Sequence, residues 1–125
     1  MMTLAIIAAL VSGVNHLAAW VMESFLFHRP NVQQILLGRS ESPPEVNLWA
    51  FNQGFYNFAL AVGAVVGVAV WLGDQPVTGR TLIVFSCSAM AVAGVVLYLS
   101  DTKLWRGALA QFLPSTIAVL ATLAA

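Results

Sequence analysis

Charge is what this sequence has least of. Ten Asp, Glu, Lys and Arg side chains make up 8% of its 125 residues, where about 25% is usual in a soluble domain. Five acids balance five bases, so no basic surface is left to follow a nucleic acid backbone, and no nucleic acid partner is expected. Cysteine is nearly missing as well. Cys87 stands alone in an apolar run, which excludes an internal disulfide and argues against a thiolate metal site. A positively charged start is also missing, since the chain opens Met1-Met2-Thr3. The first apolar run is too long for a cleavable signal, so it reads as a helix that stays in place. Neither an internal repeat nor a low-complexity tail is visible, and residues 1–125 read as a single transmembrane domain.

What is present is apolar. Hydrophobic residues make up 60% of the chain and the mean hydropathy is +0.87. So few polar groups cannot cover a soluble protein of this size, and the chain reads as an integral membrane protein. Four stretches have spanning length, at about 3–27, 48–72, 81–100 and 104–125. The expected fold is all-α, an antiparallel four-helix membrane bundle with both termini on the same side and one long loop at about 28–47.

The connections carry punctuation. Ser42-Pro43-Pro44-Glu45 reads as a capping box with Pro43 at the first helical position. Gly73-Asp74-Gln75-Pro76 ends the second span, Thr78 is placed to cap the third, and Ser100-Asp101 to cap the fourth. In the long loop, Pro30 begins a stretch with Val32, Ile35 and Leu36 on one face, closed by Gly38. That spacing suits a short surface helix and a polar loop about equally. Trp49, Trp71 and Trp105 fall where an interfacial aromatic belt would, while Trp20 lies inside the first span. Arg29, Arg39, Lys103 and Arg106 flank one side of the membrane and Arg80 alone the other. Four against one puts loops 1 and 3 in the cytoplasm and the termini outside.

With depth assigned, the polar residues gather near one boundary. Glu23, Asn52, Gln53, Tyr56, Asn57, Tyr98 and Gln111 all fall within roughly 3–14 Å of the cytoplasmic side, at 1.5 Å per helical residue. His16 lies deeper, seven residues before Glu23 on the same face. A carboxylate inside a membrane is costly and too short to snorkel, so Glu23 should face other helices, water or a ligand. Its natural partners are the amide and phenol donors of Asn52, Gln53, Tyr56, Asn57 and Gln111. The same residues equally suit polar contacts that hold helices together. His16 and Glu23 have no third ligand at convincing spacing, so no metal is expected, and no cofactor motif is present. Ser86, Cys87 and Ser88 are expected to bond back to their own helix. Ala59, Gly63 and Gly67 form a small-residue stripe that suits a dimer or an internal contact. Pro114 frees the carbonyl near Ala110 beside the polar cluster.

Asn15, His16 and Glu23, then Asn52-Gln53-Gly54-Phe55-Tyr56-Asn57, then Gln111 followed by Pro114, form a pattern that resembles the bacterial four-span membrane proteins of the domain of unknown function 1304 family. The resemblance covers nearly the whole chain. It implies a small multi-pass protein of the bacterial cytoplasmic (inner) membrane in which these residues matter, and it supplies no mechanism.

Three functions fit this pattern. The first is a module that binds or moves a small or lipid-like molecule in a cytoplasm-facing polar pocket formed by Glu23, Asn52, Gln53, Tyr56, Asn57 and Gln111. The second, ranked lower, is a membrane-embedded, isomerase-like acid–base enzyme on an apolar substrate, with Glu23 as base and His16 as a second acid–base group. The third is a structural or assembly partner with a polar interhelical network. Membrane lipid is an expected partner under all three, and spans this short favour a homo-oligomer.

Overall fold

Proline fixes where three of the five helices begin. Its locked φ suits the first helical position, where its missing N–H would have no partner in any case. In the computed structural model, which describes residues 1–125, Pro30 opens α2 (Pro30–Leu37), Pro44 opens α3 (Pro44–Leu72) and Pro76 opens α4 (Pro76–Ser100). Before these comes α1 (Met2–Ser24). A single 3-10 turn, Thr102–Leu104, leads into α5 (Trp105–Leu123).

The expected capping devices are corrected by these starts. Pro43 is the residue preceding α3 and Pro44 the first within it, and no side chain caps that end. A capping box needs a Ser hydroxyl turned toward the helix, whereas Ser42 Oγ donates to Gln33 Oε1 at 3.2 Å. Thr78 lies inside α4, whose cap position is Gln75. Asp101 caps the 3-10 turn, its Oδ1 accepting from the Lys103 backbone N–H at 2.9 Å, while α5 itself follows Leu104 with no side-chain cap.

Four helices, with the 3-10 turn counted into the last, are long and apolar enough to cross a membrane, the make-up of a multi-pass membrane protein. They form a closed ring in which α1 packs against α3 and α5, and α4 against the same two. Both chain termini and the α3–α4 turn lie at one end of this antiparallel bundle. The first loop and the α4–α5 turn meet at the other, where a Cβ on Gly38 would come within 3.7 Å of Leu104 Cδ2. The open question of the first loop resolves as a helix. Gly38 ends α2 at φ 69°, a left-handed conformation in which glycine is the residue without a steric penalty. Gln33 is buried beneath α2 and donates from Nε2 to Phe27 O at 2.9 Å.

Side-chain size sorts the helix faces. Lipid tails are as apolar as a leucine, so hydrophobicity gives no preference for the core, and close packing of small residues takes over. The core is accordingly mostly Ala: Ala5, Ala8, Ala9, Ala64, Ala118 and Ala121, closed by Val68, Trp71, Ile83, Cys87 and Met90. Phe85, Val92 and Leu99 point outward instead. On α3 the buried positions other than Gly67, which meets α4, are Ala50, Gly54, Asn57, Ala61, Ala64, Val68 and Trp71, alternating steps of four and three as a left-handed helix seam requires.

The small-residue stripe is an internal contact. A Cβ on Gly63 would collide with Ser86 Oγ, and one on Gly67 would lie 2.9 Å from Ile83 Cγ1 and 3.0 Å from Gly79 O, both on α4. Ala59, at the stripe's end, is exposed. Gly79 answers from α4, where a Cβ would strike the backbone of Trp71 and Gly67. Ser86 thus turns its hydroxyl toward α3. Trp71 is buried beneath the Arg80 guanidinium, whose carbon lies 5.8 Å from the ring centre, rather than facing an interfacial belt.

Candidate functional site

The site grows from one face of α1. Ser12, His16, Trp20 and Glu23 recur every three or four residues, and the helix turns this stripe toward α3 and α5. Gly54 lets α3 come close, since a Cβ there would collide with Ser24 Oγ and lie 3.1 Å from Trp20 O and 3.2 Å from Glu23 Cβ. Ser24 ties the same crossing by donating from Oγ to Phe51 O at 3.0 Å. One turn further along the α3 seam is Asn57, only 8% exposed, whose Nδ2 donates to Glu23 Oε2 at 2.7 Å. This is a short, charge-assisted bond if the carboxyl is ionised.

Helix rotation divides the other site residues. Asn52 is exposed and donates to Leu48 O of its own helix at 2.9 Å. Gln53 and Tyr56 are exposed on α3, Tyr56 to 69%. Gln111 is half-buried on α5. Of the five proposed partners, Asn57 is the one that bonds to Glu23.

Further into the bundle, two buried nitrogens stand without a hydrogen-bond partner. His16 is 1% exposed, with Nδ1 3.0 Å from Ser12 O. A carbonyl only accepts, so Nδ1 carries the hydrogen, and Nε2 of the neutral ring is left as an acceptor that nothing fills. One turn on, Trp20 Nε1–H is likewise buried and unpartnered. An aromatic wall formed by Trp20, Phe25, Phe55 and Phe58 stands beside it, with ring centres 4.5–6.4 Å apart.

Polar contacts invisible to depth alone join α1 to α5. Asn15 Nδ2 donates to Ala110 O at 2.9 Å, and Ser115 Oγ donates to Ser12 Oγ at 3.2 Å. Ser12 Oγ in turn donates to Ala8 O at 2.9 Å. Nowhere do three His, Cys, Asp or Glu side chains cluster as a metal ion would require.

Two open grooves mark the outside of the bundle, and neither is lined by Glu23 or Asn57. One of about 900 Å³ runs from Val77 to Val92 on α4 and reaches Thr122 and Leu123. Another of about 490 Å³ lies among Gly94, Val95, Tyr98, Trp105, Ala108, Leu109 and Phe112.

The model of one protein family, described as "Protein of unknown function (DUF1304)", matches residues 6–123. No curated protein and no solved structure matches the chain.

Proposed function

The chain belongs to that family of unknown function, and we propose that it is a membrane binding module which holds a small or lipid-like molecule at the α1–α3 crossing around Glu23 and Asn57. The observation that carries this reading is the pair of buried, unpartnered nitrogens, His16 Nε2 and Trp20 Nε1, on the same face as Glu23. A polar group left unpaired away from water costs about 1–3 kcal/mol, and two within one helical turn call for a common partner. Trp20 offers a donor, whereas His16 and the Glu23 carboxylate offer acceptors. A hydroxyl both donates and accepts, so the favoured ligand has a hydroxyl head and an apolar body that lies along the aromatic wall. Asn52, Gln53, Tyr56 and Gln111 then stand at the approach to this site.

The direction of entry follows the charge count. Arg29, Arg39, Lys103 and Arg106 lie at the Glu23 end and Arg80 at the other, which favours a cytoplasm-facing site and external termini in a bacterial inner membrane. A second reading draws on the Asn15, Ser24 and Ser12–Ser115 contacts, which tie helices together with no ligand at all. Under it, the polar network serves assembly.

Nitrogen NMR on protein labelled at His and Trp separates the two. Trp20→Phe assigns the indole signal. The binding reading expects the Trp20 and His16 ring signals to shift when gently extracted protein is stripped of co-purified molecules. Signals unchanged by stripping would favour the assembly reading.

A further inference from the structure

Away from the Glu23 end, the 900 Å³ groove on α4 begins at a cation. Arg80 is the only Lys or Arg between Arg39 and Lys103, and it is half-buried where a membrane-spanning helix starts. Its Nη2 donates to Thr122 O at 2.9 Å, satisfying a carbonyl in the last turn of α5. Guanidinium carries five N–H donors, so most remain free after that bond. Beside it, Thr122 is fully buried, lines the groove and leaves its Oγ1 without a partner. Below this polar head the lining turns apolar through Val84, Phe85, Ala89 and Val92. From Arg80 to Val92 the helix rises roughly 18 Å, a little over half of a ~30 Å hydrocarbon core. That is the depth of one leaflet.

We propose that this groove is a binding site for an anionic phospholipid. The phosphate sits on the half-buried Arg80 guanidinium, and one acyl chain lies along Val84, Phe85, Ala89 and Val92. Charge complementarity selects this occupant, because a lone membrane-boundary arginine with free donors matches a phosphodiester through charge-assisted bonds. A headgroup without a cation of its own leaves that phosphate charge to the guanidinium, which sets an anionic lipid apart from a zwitterionic one. The site is separate from the Glu23 site, being on another helix pair and at the other membrane boundary.

Native mass spectrometry of the detergent-solubilised protein, offered phosphatidylglycerol or phosphatidylcholine, tests the proposal. The expected result is one phosphatidylglycerol retained about tenfold better than phosphatidylcholine, with Arg80→Gln abolishing the preference and Arg80→Lys keeping part of it. Ser88→Trp fills the groove, leaves the Arg80–Thr122 bond alone and should reduce retention of both lipids, which keeps the test decisive if Arg80→Gln fails to fold. Glu23→Gln should leave the preference for phosphatidylglycerol over phosphatidylcholine in place, so loss of the Glu23 site leaves this reading standing. Equal retention of the two lipids by the unaltered chain, or a preference that survives both Arg80→Gln and Ser88→Trp, would overturn it. So would a dimer that excludes lipid and dissociates with Ser88→Trp, because the groove would then belong to a second copy.

Discussion

Asn15 on α1 donates its side-chain amide, at 2.9 Å, to the backbone carbonyl of Ala110 on α5. Ala110 is four residues before Pro114, which has no N–H to complete the helical bond. One helix thus supplies the hydrogen that another lacks, as membrane proteins require wherever a proline interrupts a span.

A double-mutant cycle follows from that bond. Asn15→Leu should lower thermal stability in detergent by about 1 kcal/mol, within the range for interhelical hydrogen bonds in membranes. Pro114→Ala restores a backbone N–H that takes over the Ala110 carbonyl, and in that background the cost of Asn15→Leu should shrink. Equal costs in both backgrounds would show that the bond is not compensating for the proline.

Glycine substitutions should divide sharply by place. Gly79→Ala sets a Cβ against the Trp71 and Gly67 backbone, neither of which can move aside, so a loss of about 1–3 kcal/mol is expected. On α5, Gly107 has only Leu97 Cδ2 nearby, at 3.6 Å. Gly107→Ala should therefore be neutral or stabilising by up to about 1 kcal/mol through helix propensity. Denaturation curves for the two variants give the comparison.

Sidedness can be read by labelling. Cys87 is fully buried and should resist a membrane-impermeant thiol reagent. Ser40→Cys and Thr102→Cys should label from one side of sealed vesicles and Gln75→Cys from the other. The proposed orientation expects the first pair to label from the cytoplasmic side. Labelling of Ser40→Cys and Thr102→Cys from opposite faces would contradict the bundle itself.

That long apolar helices pack as a bundle is legible in the sequence, and their rotation is not. The presence of four long apolar helices follows from apolar length, and the Ala110 carbonyl that Pro114 leaves free follows from backbone chemistry, so both are accessible from residue order alone. Asn52 and Asn57 stand about one and a half turns apart on α3, yet Asn57 meets Glu23 and Asn52 bonds its own helix. Hydrophobic patterning cannot separate them, because the lipid and the core are equally apolar. Residue size can. Asn57 is in phase with Ala50, Gly54, Ala61 and Ala64, and that seam of small residues marks the face a neighbouring helix approaches. The contacts of Ser12, Asn15 and Ser24 escape a reading by depth for a related reason. Asn15 and Ser24 donate to backbone carbonyls on another helix, acceptors that leave no trace in residue type, and Ser12 accepts from Ser115 Oγ of α5. The caps expected at Ser42 and Thr78 do not form because a proline at the first helical position sets each start, leaving those hydroxyls elsewhere.

Asn57→Leu should cost more than Asn52→Leu. The first removes the one donor to Glu23 Oε2 and leaves a carboxylate inside the bundle without its partner, a loss of about 1–3 kcal/mol. The second removes a bond within an exposed stretch of helix, so its cost should stay below about 0.5 kcal/mol. Melting temperatures of the two proteins in the same detergent check the order, and an equal cost would deny Asn57 its special place.

Mass spectrometry of the small molecules that stay with the gently extracted protein decides whether the Glu23–Asn57 crossing holds a ligand. Unaltered protein is compared with Glu23→Gln and Asn57→Leu, each checked for folding, and with Asn52→Leu as a reference. A hydroxyl-bearing apolar molecule should be enriched with the unaltered chain and with Asn52→Leu, and lost from the other two. The same molecules retained by all four folded proteins would contradict a ligand at that crossing.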